Sequence, residues 1–424
     1  MNIIVISQLT EPSAAIGAVR PSNFIRYLAK RHKVTCFTGN PLTDSDILGG
    51  AQVRCVPEKE KKRASTARQA KPGTAMVSAT RRASLVRRTA FQIKIFLKQL
   101  IWARQIAVMI EAEWKQLKPD VLLTSFGPFS SVALGLYLKR RHPQVYWISD
   151  MRDPMDSHTL QPWLRVFMAW RQKKMLRKAD AVTTVSQALG RRFASISGRQ
   201  DSIHVIFNGY EGKAKCVPGA MDKVLRIGYT GSLYNGIRRV DALFEAIQQI
   251  ENEMNDISIE FHYAGVNSTD FMQQANRYGV QKIVVDHGVL EKDKALALQE
   301  KCDILCVVSW NTKKEQGVLT GKFPEYLRLG KPIIALTSGE MPHAELTQRV
   351  REMNLGCAFE YVNRERDFPE LVKYLHKSLD EKKAGIQLGN GQDRAAIKRY
   401  SYDFLAPTLE KLMLELVKER EENL

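Results

Sequence analysis

The 424-residue sequence predicts an α/β protein built of two doubly wound domains, each a parallel sheet covered by helices on both faces. Three observations predict this. Short apolar runs of strand length alternate with amphipathic runs of helix length along most of the chain. The alternation breaks once, over the polar stretch NGYEGKAKCVPGAMDK (208–223), and then restarts. The chain is also long enough to bury two separate cores.

In the first half, NIIVIS (2–7) reads as an apolar strand. PSNFIRYLAKRH is a helix that leads into the strand KVTCFTG. PDVLLTSF, the helix FSSVALGLYLKRRHP and the strand VYWISD follow, and then a helix in QPWLRVFMAWRQKKMLRKA, the strand DAVTTVS, the helix QALGRRFASI and the strand IHVIFNG. After the break come the strand and turn VLRIGYTGS, the helix RRVDALFEAIQQIENEM and the strand ISIEFHYAG. MQQANRYG, IVVDHGV, KDKALALQEK, CDILCVVSW, the stretch 313–339 and PELVKYLHKSL continue the pattern. The expected organisation is a first domain at 1–208, a linker at 209–222, a second domain at 223–395 and a closing helix within 396–424. Ligands of doubly wound sheets sit at the carboxyl ends of the strands, so the cleft between the domains is where a site is expected.

Hydrophobic content of 44% with 26% charged residues is ordinary for a soluble globular protein. No apolar run approaches the ~20 residues that span a bilayer. MNIIVIS lacks the basic leader and cleavage site of a signal peptide, so a cytoplasmic protein is expected. Cys36, Cys55, Cys216, Cys302, Cys306 and Cys357 are scattered. Cys302 and Cys306 share an apparent buried strand with no second Cys or His pair, which reads as core thiols rather than a zinc site. No metal is expected.

The net charge of +19 needs a surface or partner to explain it. Much of it lies between Lys59 and Arg104, where Glu60 is the only acid. The first half of that stretch, rich in Ser, Thr, Ala and Lys/Arg, reads as a mobile loop. The second half sets Leu85, Phe91, Ile95, Phe96, Leu100, Ile101 and Trp102 among Arg87, Arg88, Lys94, Lys98 and Arg104, the pattern of a basic amphipathic helix. Such a helix either packs on its own domain with solvated charges or lies on an anionic membrane surface. A charge patch alone also fits nucleic acid, but there is no zinc-finger spacing, RNA-recognition aromatic motif or basic zipper, and no nucleic-acid partner is expected.

Two loops carry the chemistry. In IGYTGSLYNGIRR a strand runs into Gly231 and Ser232, then Gly236, with Arg238 and Arg239 at a helix start. Glycines let the backbone approach a phosphate, a helix N-terminus offers free amides, and arginine binds phosphate oxygens in bidentate fashion. Neither a Walker sequence nor GxGxxG is present. In KKEQGVLTGKFPEYLRLGKPIIALTSG (313–339), Val318, Leu319 and Thr320 would present amides at a helix mouth beside Lys322, with Glu325 about a turn deeper. A lysine at a helix N-terminus costs up to about 1 kcal/mol, which a bound anion would reverse. Glu325 has the chemistry to accept two ribose hydroxyls. The plain structural reading makes Glu325 a favourable first-turn acid and Lys322 a solvated side chain.

Over nearly its whole length the sequence resembles the retaining glycosyltransferases of family 4, with their two-domain GT-B fold. The similar segments, in order, are VISQLTEPSAAIGAVRPSNFIRYLAKRHKVTCFTG, ADAVTTVSQAL with VIFNGYE, GYTGSLYNGIRR, LTGKFPEYLRLGKPIIAL and RYSYDFLAPTLEKLMLEL. The resemblance implies two Rossmann-like domains facing across a cleft, with the last helix crossing back to the first domain. It implies that Glu325 binds the donor ribose, that Arg238 and Lys322 hold the diphosphate without a metal, and that the loop at Gly17 lies against the donor sugar.

The sequence departs from the family pattern at three places. The family segment carries two glutamates separated by seven residues, and counting back from Glu325 reaches Gly317, the nearest acid being Glu315. Ser232 stands where an arginine is usual. The first-domain histidine near the reacting carbon has no clear counterpart, and WISDMRDPMDSH crowds Asp150, Arg152 and Asp153 at the matching strand end. Asp150, Asp153 and Glu315 are therefore the candidate catalytic carboxylates, unless Arg152 pairs with one of the aspartates only to fix the loop.

The implied reaction moves a sugar from a nucleotide diphosphate to an acceptor hydroxyl with retention. The leaving phosphate oxygen helps deprotonate the acceptor, with no covalent carboxylate of the hydrolase kind. The basic helix fits an acceptor carried on a membrane lipid diphosphate, as in bacterial capsule, exopolysaccharide or O-antigen assembly. Two other readings stay open: a nucleotide-sugar 2-epimerase of the same fold, and a nucleotide-sugar-binding protein without turnover.

Overall fold

The computed structural model describes residues 1–421 apart from 14, 41–44, 57–79, 158–159, 216, 220–221, 235, 255–257 and 390. The basic stretch read as a loop therefore lies, up to residue 79, outside the described residues, as does Cys216. The chain divides into two compact units. One comprises Met1–Val185, Leu189–Ile206 and Ala406–Leu424, the other Ser186–Ala188 and Phe207–Leu405.

The first unit holds strands β1 (Asn2–Ser7), β2 (Lys33–Thr38), β3 (Gln52–Cys55), β4 (Val121–Ser125), β5 (Tyr146–Met151), β6 (Ala181–Thr184) and β7 (Ile203–Val205). They pair in parallel in the order β3-β2-β1-β4-β5-β6-β7. Its helices are α1 (Ile16–Ala29), α2 (Thr80–Leu117), α3 (Phe129–Arg141), α4 (Pro162–Leu176) and α5 (Gln187–Ser197). Helices cover both sheet faces, so the central strands are apolar throughout rather than alternating: every residue of β4 is buried.

Helix α1 starts at Ile16, five residues before the expected start at Pro21, which lies inside it. Proline has no N–H for the carbonyl four residues back, which is that of Gly17. Here the Gly17 carbonyl accepts Arg152 Nη1 at 2.7 Å instead, so the helix runs through its proline without a lost bond. Helix α2 continues past Arg104 to Leu117, because Trp102, Ala103, Ile106 and Ile110 recur at helical spacing and are buried.

The second unit repeats the plan with β8 (Leu225–Thr230), β9 (Ile259–Ala264), β10 (Val284–Asp286), β11 (Ile304–Trp310), β12 (Ile333–Ser338) and β13 (Gly356–Glu360). They are parallel in the order β10-β9-β8-β11-β12-β13. Helices α6 (Asp241–Glu253), α7 (Ser268–Arg277), α8 (Lys292–Lys301), α9 (Lys322–Leu329), α10 (Glu345–Glu352), α11 (Arg364–Lys383) and α12 (Arg394–Lys398) accompany them. Helix α13 (Tyr402–Glu421) begins in this unit and runs on into the first. The rings of Phe244, Phe261 and Phe271 meet pairwise at 5.1–5.3 Å in the core. Cys302 and Cys306 are fully buried, and burial pushes the Cys302 thiol up to about 12.

Elements not foreseen from the sequence are short or peripheral. Edge strand β3 has four residues and none is fully buried, while β13 and α10 have five and eight residues. Runs of that length carry too few periods to stand out.

Candidate active site

In each unit the order of strand addition reverses beside the first strand, between β1 and β4 and between β8 and β11. A doubly wound sheet offers its ligand crevice at that reversal, outside the carboxyl strand ends. In the second unit β8 ends at Thr230, and the turn after it is tied to Asn267. Ser232 Oγ donates to Asn267 Oδ1 at 2.8 Å, and Leu233 N donates to the same oxygen at 2.9 Å. Ser232 thus shapes the turn, and its carbonyl accepts Arg238 Nη1 at 3.1 Å.

The guanidinium of Arg238 lies 4.3 Å from the Tyr234 ring centre and 5.1 Å from that of Trp310, the last residue of β11. Its Nε is buried with no hydrogen-bond partner among the described residues. Two aromatic faces hold this cation at the switch point by cation–π attraction while leaving donor capacity unspent. Arg239 is engaged elsewhere, paired with Asp241 at the start of α6 and lying over the Tyr361 ring. Of the two neighbouring arginines, Arg238 is the one not tied to a carboxylate among the described residues.

Glu315 sits in the loop after β11, where its Oε2 accepts the Trp310 indole N–H at 2.8 Å and its amide bonds Thr312 Oγ1. It thereby fixes the ring that backs Arg238. Gly317 takes φ +71°, and a Cβ there would lie 2.5 Å from Ser186 Oγ of the same unit. A left-handed backbone with no room for a side chain explains why no glutamate stands at this position. Val318 accepts from Ser309 Oγ at 2.7 Å, Leu319 N bonds the Gly317 carbonyl, and the Thr320 hydroxyl is buried without a partner among the described residues.

Helix α9 opens at Lys322, with Gly321 before it. Lys322 Nζ donates to Glu325 Oε1 at 2.9 Å, so the lysine's unfavourable place at the helix mouth is offset by an acid one turn on. The same Oε1 accepts Gln299 Nε2 at 2.5 Å, and Gln299 also bonds Thr230 Oγ1 at 2.8 Å. Both donors converge on one oxygen. Glu325 Oε2 has no hydrogen-bond partner among the described residues, and the side chains of Lys322 and Glu325 are 29% and 25% exposed. A half-used, held carboxylate at a strand-end crevice is the chemistry needed to accept a pair of vicinal hydroxyls.

In the first unit Asp150 ends in a closed cluster at the carboxyl end of β5. Arg20 and Asp150 are each 1% exposed. Arg20 Nη2 reaches Asp150 Oδ1 at 2.8 Å, Thr183 Oγ1 donates to Oδ1 at 2.7 Å and Ser125 Oγ to Oδ2 at 3.3 Å. Burial would raise the carboxyl's pKa, but the charge and hydrogen bonds of Arg20, with the bond from Thr183, hold it below its ordinary value. Arg152, the partner suggested by its neighbourhood in sequence, donates to the carbonyls of Gly17 and Phe126, and its charge adds a smaller share to the lowering of the Asp150 pKa. Those bonds join the Gly17 turn to the loop after β5, and a Cβ at Gly17 would lie 3.0 Å from Arg152 Nη1. Asp153, next in the chain, is exposed.

Sequence reasoning missed Arg20, Gln299 and Trp310. Two of them left a signal: Arg20 is a charge in an otherwise apolar turn of a helix, and Gln299 follows Ala295 and Leu298 at the spacing of the apolar face of α8. Among the described residues no three His, Cys, Asp or Glu side chains gather in a way that could hold a metal.

Two parallel sheets, each reversing at its first strand and each carrying charged side chains at the reversal, define a GT-B protein. Residues 17–209 match the Glycosyl transferase 4-like domain and residues 225–366 the Glycosyl transferases group 1 domain. The chain belongs to the family 4 retaining glycosyltransferases, which use a nucleotide-sugar donor. No curated protein matches in sequence. Solved structures similar in fold include HepE of Anabaena in complex with UDP and glucose, at 12% identity over 98% of this chain and 100% of that one, with a TM-score of 0.61. Sucrose-phosphate synthase of Thermosynechococcus elongatus matches at 13% identity over 98% and 99%, TM-score 0.63. The lipopolysaccharide outer core galactosyltransferase WaaB, in its apo form, matches at 13% over 98% and 99%, TM-score 0.59.

Proposed function

We propose that this glycosyltransferase transfers a hexose from a uridine diphosphate donor to a hydroxyl of a lipid-linked saccharide at the inner face of a bacterial membrane, in the assembly of a surface polysaccharide. The observation that carries the donor side is Glu325, whose Oε1 is held by Lys322 and Gln299 while Oε2 stays open. In this reading Oε2 accepts the ribose hydroxyls. Arg238, Lys322 and the amides of Val318 and Thr320 take the diphosphate and stabilise it as it leaves, the Leu319 amide being spent on the Gly317 carbonyl. HepE, which shares the fold, holds UDP, and that supports uridine as the base.

Of the three candidate carboxylates, Asp153 is the one proposed to orient sugar or acceptor hydroxyls. Asp150 and Glu315 act through others, Asp150 on Arg20 and Glu315 on Trp310 behind Arg238. The Gly17 turn, fixed by Arg152, is proposed to face the donor sugar. The leaving phosphate oxygen takes the acceptor proton as the new glycosidic bond forms on the face the phosphate departs from. The acceptor reading rests on the basic, partly apolar surface of α2.

A thermal-shift series with UDP, GDP, ADP, CMP, TDP and their common sugars, on wild type and Glu325→Ala, tests the donor assignment. UDP and a UDP-hexose should stabilise the wild type, and the variant should lose the shift. Stabilisation by another base alone overturns uridine, and equal shifts in the variant overturn the role of Glu325.

A further inference from the structure

The first unit carries an apolar face that nothing described in the structure covers. Helix α4 turns Trp163, Val166, Phe167 and Trp170 to solvent, with Val166 69% and Trp170 54% exposed, while Leu164, Met168 and Met175 pack inward. Trp163 stands three and four residues before Val166 and Phe167, and Trp170 four and three after them, which puts the exposed four in one stripe. Helix α2 adjoins it. The Phe96 ring meets Phe167 edge-on at 5.8 Å and stacks on Phe129 at 5.5 Å, and Gln161 N donates to Gln92 Oε1 at 3.1 Å. From Phe91 to Ile101 no described side chain of α2 is buried, and Phe91, Leu97 and Ile101 are each more than half exposed.

Cations frame this face. Lys174 Nζ lies 5.1 Å from the Trp170 ring centre, one turn along the stripe. Between α3 and α4 opens a cavity of about 410 Å³ lined by Leu136, Tyr137, Arg140, Arg141 and Arg171. Arg141 is paired with Glu111. Arg140 and Arg171 have no carboxylate partner among the described residues, and Arg171, half-buried, is perturbed first by burial and then by the charge of Arg140. The sequence places no Asp or Glu in 80–110, 129–141 or 162–176.

An apolar stripe this broad, exposed beside unpaired guanidinium groups, calls for an occupant that is apolar in one layer and anionic in the next. A second copy of the same face would set like charges against each other. No described helix is long and apolar enough to cross a membrane, so the occupant is a surface and not a bilayer to be spanned. Tryptophan and phenylalanine with lysine and arginine are the side chains that settle at the headgroup level.

We propose that the α2–α4 face docks on an anionic lipid bilayer, with Trp163, Val166, Phe167 and Trp170 entering the boundary of headgroups and acyl chains, and that Arg140 and Arg171 take the phosphate of one lipid headgroup in the cavity behind them. The proposal rests on the reading that the enzyme works at a membrane. It adds which face makes the contact and which pocket reads the headgroup, and neither requires the donor assignment.

The test is co-sedimentation of the full chain with vesicles of phosphatidylcholine alone or with phosphatidylglycerol, at physiological salt. Wild type should bind the phosphatidylglycerol vesicles and ignore the neutral ones. Arg140→Glu with Arg171→Glu should lower partitioning by about tenfold or more, and Arg140→Lys with Arg171→Lys should keep most of it. Trp163→Ser with Trp170→Ser should lower it by about tenfold and remove a blue shift of tryptophan emission on binding. Each variant is first shown to keep the wild-type melting temperature and nucleotide-induced shift. Wild type that binds no vesicle overturns both the membrane reading and this proposal. Binding untouched by the arginine pair overturns the headgroup pocket alone, and binding untouched by the tryptophan pair overturns the α4 face. A concentration-dependent dimer that the tryptophan pair abolishes, without vesicle binding, makes a second copy the occupant instead.

Discussion

Two acid–base pairs stand at strand ends of this molecule, and they are built differently. In the first unit Arg20 and Asp150 lie out of solvent, and both carboxylate oxygens of Asp150 are taken by Arg20, Thr183 and Ser125. In the second unit Lys322 and Glu325 are about a quarter exposed, and both donors crowd onto one oxygen. The closed pair has no capacity left for a ligand and every reason to resist being broken. The open pair is weakly stabilising in itself, as exposed pairs are, and keeps one oxygen in reserve. Charge and position at the sheet are shared; the accounting of each oxygen separates a pair that is spent from one that can still accept a hydrogen bond.

The comparison breaks most easily at Asp150. Removing one partner of a buried ion pair strands the other, so Asp150→Ala should cost about 3–5 kcal/mol of stability, read as a large fall in melting temperature. The acid limb gives a sharper version. A carboxyl whose folded pKa is depressed stabilises fully above its ordinary value of 3.8 and loses that stabilisation as pH falls from there through the folded value. Wild type should therefore lose stability below about pH 3.8 through this group, and Asp150→Asn should lack that component of the acid unfolding curve. An Asp150→Ala variant with an unchanged melting temperature would erase the distinction.

Glu325→Ala should act in the opposite currency. Charge-assisted hydrogen bonds contribute about 1.5–3 kcal/mol each, so donor affinity should fall on the order of 100-fold while stability moves by less than about 1 kcal/mol. Titration calorimetry beside thermal unfolding reads both.

A smaller effect is expected one residue further back. Gln299→Leu removes the amide that fixes Glu325 and should weaken donor binding about tenfold. Gln299→Glu, which sets a second carboxylate against the first, should weaken it more at neutral pH and recover as the pH is lowered. Recovery on acidification distinguishes positioning of a charge from loss of packing. The smallest effect should come from Arg239→Ala, within about twofold in donor affinity, because Arg239 is committed to Asp241, whereas Arg238→Ala should lose about tenfold or more.

Much of the architecture was legible because parallel strands buried on both faces read as apolar runs, and runs such as NIIVIS and CDILCVVSW leave little choice. The start of α1 was misread because a proline inside a helix looks like a beginning when the carbonyl it leaves open finds a partner 135 residues away in Arg152. The candidate site was legible only as two loops and their place in the fold. GYTGSLYNGIRR and LTGKFPEY do end up around the reversal between β8 and β11. Which side chain does what was not legible, since that depends on contacts between distant segments. Asp150 is taken by Arg20 rather than by its neighbour Arg152, and Glu325 is held by Gln299, 26 residues before it.

Gly317 carries a consequence for how this enzyme can change. Its φ of +71° and the hydroxyl of Ser186 where a Cβ would sit mean that a glutamate introduced there has no space to occupy. A single Gly317→Glu substitution is thus closed off. The loop would have to be rebuilt first, passing through intermediates in which the turn between Trp310 and Lys322 is disturbed. On the proposed donor role of Glu325 and Arg238, change in this enzyme falls instead to the side chains that hold them, Gln299 and Trp310 first.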